Sequence, residues 1–485
     1  MKTKADIAVI GLAVMGQNLI LNMSDHGFTV VVYNRTISKV NEFLQSAASG
    51  KDTIIGASSI QEMIHTLKSP RKIMLMIKAG KAVDDFIDQL IPLLSSGDLI
   101  IDGGNSHFTD TIRRTRYLEE RGLNFIGTGI SGGEEGARNG PSIMPGGSVR
   151  AWPLVEHIFR AIAAKTKDNI PCCDWVGSDG AGHYVKMVHN GIEYGDMQLI
   201  SEAYQILRDG LKLNASDIGD VFAEWNQGDL KSYLIEIAAH VLKFKDSDGN
   251  PLIDKILDSA GQKGTGRWTS ESALELGVPV TLITEAVYAR SLSALVQTRR
   301  DAAEILGDGI TAFSGNQFDF TRQIREALLA SKIVSYAQGF MLMRSAAKQY
   351  SWDLDLGGIA LMWREGCIIR SAFLDQIKEA FDKAPALDNL LLDDYFCRIV
   401  NSCIASWRNV VAQAALMGIA VPALSSALSF YDGYRNRRGS ANMIQALRDY
   451  FGAHTFERID RPLGEFFHAN WTGYGGDVAS GSYSA

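Results

Sequence analysis

Cysteine is scarce in this chain. There are five in 485 residues (Cys172, Cys173, Cys367, Cys397 and Cys403), at none of the spacings that hold a metal, and no metal site is expected. Their odd number and sparse placement suit a reducing compartment, so a cytoplasmic protein is expected. Long apolar runs are also missing. No stretch reaches the ~20 residues that a membrane-spanning helix needs, which excludes a transmembrane segment. Lys2 and Lys4 precede an apolar run, but Asp6 interrupts it and no small-residue cleavage site follows, so it does not read as a secretory signal. Positive charge is in deficit. The net charge of −7 argues against a nucleic-acid surface, although local basic clusters can still bind phosphate. What is present is the composition of a globular protein, 46% hydrophobic and 21% charged, in a chain long enough for two or three domains.

Up to about residue 179, short apolar runs alternate with helical patterns. Residues 7–11, 29–33, 73–77, 98–102 and 123–127 read as buried parallel strands, with 17–26 and 81–94 among the crossover helices. This predicts a doubly wound, Rossmann-like α/β domain over 1–179. Its first turn is Gly11-Leu12-Ala13-Val14-Met15-Gly16, directly after a strand and opening a helix. Glycines there let the backbone approach a pyrophosphate, whose charge then sits on the helix N-terminus. Ala13 replaces the usual second glycine. The second strand ends in Asn34-Arg35-Thr36, with Lys39 nearby and no carboxylate to hold a ribose 2′-hydroxyl. A guanidinium and a hydroxyl suit a 2′-phosphate, which predicts NADP over NAD. Ile77-Lys78-Ala79 and Asp102-Gly103-Gly104-Asn105-Ser106 follow later strands, on the edge where such a sheet binds cofactors. Ser131, Gly132 and Gly133 follow the next strand. They read as hydrogen-bond donors for a substrate carboxylate rather than as a hydrolase nucleophile.

The stretch 177–197 changes the character of the chain. Three glycines give way to an apolar helical repeat whose polar residues share one face, with Lys186, His189, Asn190 and Glu193 at i, i+3, i+4 and i+7. Lys186 and Glu193 lie roughly 10 Å apart along the axis, a span their side chains can close around a small molecule. Long helical patterns follow at 196–211, 229–244, 285–305, 322–348 and 392–416, predicting an all-helical domain over 180–437. Asp217-x-Gly219 with Trp225-x-x-Gly228 is matched by Asp355-x-Gly357 with Trp363-x-x-Gly366, which points to an internal duplication. Residues 192–194 pair in the same way with 334–336, where Ser335 takes the place of Glu193. Lys263, in a glycine-rich loop, and Arg290, in a mostly apolar helix, suit a phosphate. Residues 438–485 form a tail. Its last stretch, 473–485, is rich in Gly and Ser and would need a partner to be ordered.

Gly-Leu-Ala-Val-Met-Gly at 11–16, Asn-Arg-Thr at 34–36, Ile-Ser-Gly-Gly-Glu-Glu-Gly-Ala-Arg at 130–138, Lys-Met-Val-His-Asn-Gly-Ile-Glu-Tyr at 186–194 and Arg-Asp-Tyr-Phe-Gly-Ala-His-Thr-Phe at 448–456 together resemble the decarboxylating 6-phosphogluconate dehydrogenases. The match runs in order along the whole chain, with Phe456 where tyrosine is more familiar. The resemblance implies oxidation of 6-phosphogluconate with NADP to ribulose 5-phosphate and CO2, without a metal. It implies Lys186 as general base and Glu193 as the acid that protonates C1. It also implies Asn105, Ser131, Gly132, Gly133, His189 and Asn190 at the carboxylate and hydroxyl end of the substrate, with Tyr194, Lys263 and Arg290 on the phosphate. Arg448 and His454 would come from the tail of a partner in a homodimer. Two rival readings use part of the same residues. A 3-hydroxyacid dehydrogenase on an unphosphorylated substrate shares the glycine turn and helix lysine, and a non-catalytic NADP-binding protein shares the fold.

Overall fold

The computed structural model describes residues 4–475. Eight strands, β1 (Ile7–Ile10), β2 (Val30–Tyr33), β3 (Ile54–Gly56), β4 (Lys72–Leu75), β5 (Leu99–Asp102), β6 (Asn124–Ser131), β7 (Ser142–Gly147) and β8 (Gly177–Ser178), form one sheet. Their order is β3-β2-β1-β4-β5-β6-β7-β8, parallel throughout except between β6 and β7. Alternate residues feed two cores, Ile7, Val9, Val30 and Val32 on one face, Ala8, Ile10, Val31 and Ile73 on the other. With both faces covered, the strands read as continuous apolar runs. The direction of winding reverses between β1 and β4, and the carboxyl ends of these strands diverge into a crevice.

The five strands expected from sequence are all present. Three more were not foreseen. β3 is only three residues long, β8 only two, and β7 contains Pro145-Gly146-Gly147, residues that read as a turn.

The helical part is built on three long helices, Ala181–Gln205, Gln317–Tyr350 and Asp394–Met417. The first, hereafter the site helix, packs against the second, with small residues at the crossing. A Cβ on Gly195 would lie 2.6 Å from Ser335 Oγ, and one on Gly339 2.5 Å from Ile192 Cδ1. Two short helices, Ala215–Trp225 and Tyr233–Lys243, follow the site helix, and another two, Leu356–Met362 and Leu374–Lys383, follow the second long helix. This succession is the one a duplication predicts. The paired aspartates nevertheless differ in role. Asn214 caps the first short helix and Asp217 lies inside it, whereas Asp355 is itself the cap of the third.

Two expected helices have different bounds. The stretch 196–211 is the second half of the site helix running into a π turn, Ile206–Gly210. The stretch 285–305 is two helices, Thr281–Ser293 and Val296–Leu306. Ala294 and Leu295 separate them, and neither residue is a helix breaker, so no sequence signal marks the boundary.

The chain divides into two compact units, 1–427 and 428–485. The second contains the helix Ala441–Gly452 and a short hairpin, Phe456–Glu457 with Phe466–Phe467. Its organising residue is the buried Asp449, whose carboxylate accepts from the Thr455 and Ala469 amides, His468 Nδ1 and Trp471 Nε1. Burial pushes this carboxyl up, but the donors outweigh it and hold it below the usual range. Most of the Gly- and Ser-rich end expected to need a partner, 476–485, lies outside the described residues.

Candidate active site

At the β1–β4 crevice the backbone forms a groove of about 660 Å³. Two glycines make it possible. Gly11 has φ +110°, and a Cβ there would sit 2.3 Å from the Met76 carbonyl oxygen. A Cβ on Gly16 would sit 2.1 Å from the Gly11 carbonyl oxygen. The helix Val14–Asp25 begins at Ala13 without a side-chain cap, so its first-turn amides point into the groove unclaimed by a capping oxygen. Asn34 braces the turn, with Oδ1 3.3 Å from the Leu12 amide. Arg35, Thr36 and Lys39 line the far end, and Ile77, Lys78 and Asn105 the near one. Amides at a helix start, with three cations along the groove, fit a nucleotide carrying more than one phosphate.

A second cavity, of about 650 Å³, adjoins the first and shares Met15, Asn105 and Ile130 with it. Its floor is the site helix. That helix reaches the sheet through glycines: a Cβ on Gly182 would lie 2.4 Å from the Gly127 carbonyl oxygen, and one on Gly129 2.3 Å from Lys186 Cβ. β6 thus leaves open the channel in which the lysine side chain runs. Lys186 and Glu193 both border the cavity. Burial lowers the proton affinity of Lys186, and Glu193 and Cys367 only partly restore it. Among the described residues Lys186 Nζ makes no ion pair, and the polar atom nearest to it is His189 Nδ1 at 3.4 Å. Glu193 is pushed in the other direction. Burial raises its proton affinity, and the pull of Lys186, Arg290 and Lys263 does not cancel the rise. The helix face therefore holds a lysine whose proton affinity is lowered and a carboxyl whose proton affinity is raised.

The opposite wall is basic. Lys263 and Arg290 line it, and the Arg290 guanidinium lies over the Tyr194 ring at 3.5 Å while Nη1 donates to the Gly261 carbonyl at 3.1 Å. Tyr194 is itself held closely, since a Cβ on Gly266 would lie 2.4 Å from its ring. A cavity with a lysine–carboxyl pair at one end, two cations at the other and a nucleotide groove beside it is suited to oxidising a phosphorylated acid. Comparison with known proteins gives the same answer along the full chain. Residues 6–177 match the NAD binding domain of 6-phosphogluconate dehydrogenase, and residues 182–471 match the 6-phosphogluconate dehydrogenase C-terminal domain. The chain belongs to the 6-phosphogluconate dehydrogenase family.

Similar family members include the decarboxylating 6-phosphogluconate dehydrogenases of Cunninghamella elegans, 60% identical over 99% of both chains, and of Homo sapiens, 59% identical over 99% of this chain and all of the other. The solved 6-phosphogluconate dehydrogenase of Plasmodium falciparum, described with its cofactor NADP+ and its substrate 6-phosphogluconate, superposes with a TM-score of 0.93 at 42% identity. It covers 96% of this chain and 100% of that one.

Within this dehydrogenase fold the residues expected from sequence fall into four groups. Gly11 to Gly16, Asn34, Arg35, Thr36, Ile77, Lys78 and Asn105 border the groove, whereas Ala79 does not. Asn105, Ser131, Gly132, Gly133, Lys186, Asn190, Glu193, Tyr194, Lys263 and Arg290 border the cavity. His189 stands behind that wall, fully buried, between Lys186 and Ser131. Arg448 and His454 belong to the second unit, where Arg448 Nη1 donates to Gln445 Oε1 at 3.0 Å.

Sequence reasoning missed Cys367 and Ile368, which meet Ser131 and His189 from a loop more than 170 residues away, and Thr265, which accepts from Asn190. It also missed the clearance at Gly129. The only signal near the loop was the repeated Trp-x-x-Gly motif ending at Gly366, which pointed to duplication and not to the site.

Proposed function

We propose that this protein oxidises 6-phosphogluconate with NADP and decarboxylates the product to ribulose 5-phosphate and CO2. The observation that carries this reading is the unpaired, buried Lys186 facing a cavity closed by Lys263 and Arg290 and joined to the nucleotide groove. NADP is held by the first-turn amides after Gly11, with Arg35, Thr36 and Lys39 at its 2′-phosphate, and it supplies a hydride acceptor for C3 of the substrate. Lys186, as the free amine, takes the proton of the 3-hydroxyl. The 3-keto acid that results loses CO2, and the protonated Lys186 stabilises the developing enolate oxygen. Glu193, whose proton affinity burial raises, gives its proton to C1. Ser131, Gly132, Gly133, Asn105 and Asn190 hold the carboxylate and hydroxyl end, and Tyr194, Lys263 and Arg290 hold the phosphate. Arg448 and His454 contribute from the tail of a second copy. The three-part division into 1–179, 180–437 and 438–485 follows these roles of cofactor, substrate and exchange.

Support for a homodimer lies on the tail helix, where Met443, Ile444, Leu447 and Tyr450 form an apolar face and are at least half exposed. Such a face is buried when tails are exchanged. A cytoplasmic setting accords with five cysteines, all unpaired. Among the described residues no helix is long and apolar enough to cross a membrane.

The decisive assay is NADPH formation from 6-phosphogluconate, run beside gluconate and with NAD in place of NADP. Activity confined to the phosphorylated acid and NADP is expected, and equal activity with gluconate refutes the phosphate site. For the tail, mixing inactive Lys186→Ala and Arg448→Ala proteins under exchange conditions should restore activity, because one hybrid site is then intact. No recovery from verified hybrids contradicts tail exchange.

A further inference from the structure

His189 is fully buried, and its two ring nitrogens have different neighbours. Nδ1 lies 3.1 Å from Asn190 Oδ1 and 3.4 Å from Lys186 Nζ. The amide nitrogen of Asn190 is committed to Thr265 Oγ1 at 3.0 Å, so the oxygen is the atom turned to the ring, and it can only accept. Nε2 lies 2.7 Å from Cys367 Sγ and 3.1 Å from Ser131 Oγ, both of which carry a proton to donate. Burial pushes the Cys367 thiol up to about 12, which keeps it protonated at neutral pH. Burial and the neighbouring Lys186 hold the imidazole far below its usual range, which keeps it neutral with a single ring proton.

An acceptor at one edge and two donors at the other define one tautomer. We propose that Cys367 is a positioning residue of the active site, whose thiol donates to His189 Nε2, fixes the ring with its proton on Nδ1, and so turns an N–H edge toward Lys186. The consequence for Lys186 is electrostatic. An N–H beside the amine cannot accept from an ammonium, and its dipole opposes a second positive charge, so the free amine is favoured. The opposite tautomer would offer Lys186 a lone pair and stabilise the ammonium. Ser131 is the weaker anchor, because its hydroxyl borders the cavity and also receives the Ile368 amide at 3.4 Å. Cys367 is sealed against the ring, which is edge-on to Trp363 at 5.7 Å between centroids.

The charged and titratable groups around Lys186 are few. Glu193 and His189 lie on its own helix, Cys367 comes from the loop after Trp363, Lys263 and Arg290 stand on the far wall, and β6 contributes only the uncharged Ser131. Glu193 and Cys367 favour the ammonium. A fixed His189 tautomer is the neighbouring contribution that opposes them without adding charge.

The inference rests on the proposed role of Lys186 as base, and the test separates the two. In the unmodified protein, nitrogen-15 labelled histidine, with His189→Asn as the assignment control, should show His189 with its proton on Nδ1. A proton on Nε2 overturns the inference whatever the activity. In kinetics, Cys367→Ala should shift the acid limb of the kcat/KM profile upward by roughly half to one pH unit, the effect of losing one hydrogen bond. KM for 6-phosphogluconate should change little, and Cys367→Ser, which keeps a donor, should restore the profile. An unshifted limb in Cys367→Ala, or an equal shift in Cys367→Ser, contradicts the role of the thiol. Inactive unmodified protein that nevertheless shows the Nδ1–H ring would overturn the function and uphold the tautomer.

Discussion

Two lysines are buried in the helical part of this protein, one on each of the first two long helices, and they have opposite lives. Lys332, on Gln317–Tyr350, is completely enclosed and bound to Asp196 of the site helix at 2.5 Å. Lys186, on the site helix itself, is almost as deeply enclosed and has only a neutral imidazole beside its nitrogen. Taking a charge out of water is costly, and a nearby opposite charge offsets part of that cost. Lys332 has that offset and ties two helices together. Lys186 has no carboxylate in contact and only the partial pull of Glu193 and Cys367, so most of the cost falls on the ammonium and its proton affinity is lowered. The same side chain is a structural clamp where a carboxylate meets it and a base where none does. The site helix carries the base and the carboxylate of the clamp, Lys186 and Asp196, ten residues apart, with Asp196 turned toward its neighbour helix and Glu193 toward the cavity.

The sharpest way to break the comparison is to remove Lys186. Lys186→Met should lower turnover by about 10⁴-fold or more, since it deletes both the proton acceptor and the cation at the enolate oxygen. Its stability should move the other way. The folded pKa of Lys186 lies below the unfolded 10.5, so between those values the unfolded chain binds more protons, and stability rises with pH through that window. Lys186→Met should abolish that slope and melt higher than the parent at neutral pH, read by calorimetry. A lower melting point would show that the lysine is a stabilising contact after all.

Next in size is Glu193→Gln, which should depress turnover by about 10²- to 10⁴-fold while leaving NADP affinity unchanged. Because burial raises the carboxyl, the activity it supports should fade as pH rises through a midpoint above 4.5, and this limb should vanish in the variant.

Lys332→Met leaves Asp196 buried and alone, and should cost about 3–5 kcal/mol of stability in chemical denaturation. The double replacement Lys332→Met with Asp196→Asn should recover most of it, because no uncompensated charge remains. If the single variant is as stable as the parent, the clamp reading of Lys332 is wrong.

The smallest expected effect lies in the groove. Arg35→Gln should reduce preference for NADP over NAD by roughly 10- to 100-fold, the worth of one charge-assisted contact, seen in the ratio of kcat/KM values. Equal loss with both cofactors would place Arg35 elsewhere than at the 2′-phosphate.

Much of this architecture is legible in the sequence, and the reasons differ by region. The groove follows from local chain geometry: Gly11 and Gly16 are needed because backbone carbonyls occupy the space of their missing Cβ atoms, and a strand–glycine–helix string signals that need. The catalytic face follows from helical periodicity, which sets Lys186, His189, Asn190 and Glu193 in line without knowledge of the rest of the fold. Distant contacts left no such trace. Cys367 meets His189 only because the second half of the helical domain folds back over the site helix, and nothing near Cys367 in sequence distinguishes it from the four other cysteines. Gly129 lies just beyond the strand expected at 123–127, and its function as a channel for Lys186 exists only once helix and sheet are packed. Asp196 and Lys332 are likewise ordinary residues in sequence, and only the crossing of their helices makes them a pair.

The base role of Lys186 is the centre of the proposed chemistry. The measurement that tests it is NADPH formation from 6-phosphogluconate by folded Lys186→Ala, with and without added primary amines. Background rates alone, and partial recovery that tracks the free-base concentration of each amine, are predicted. Undiminished turnover in the variant without any amine would show that Lys186 is not the base.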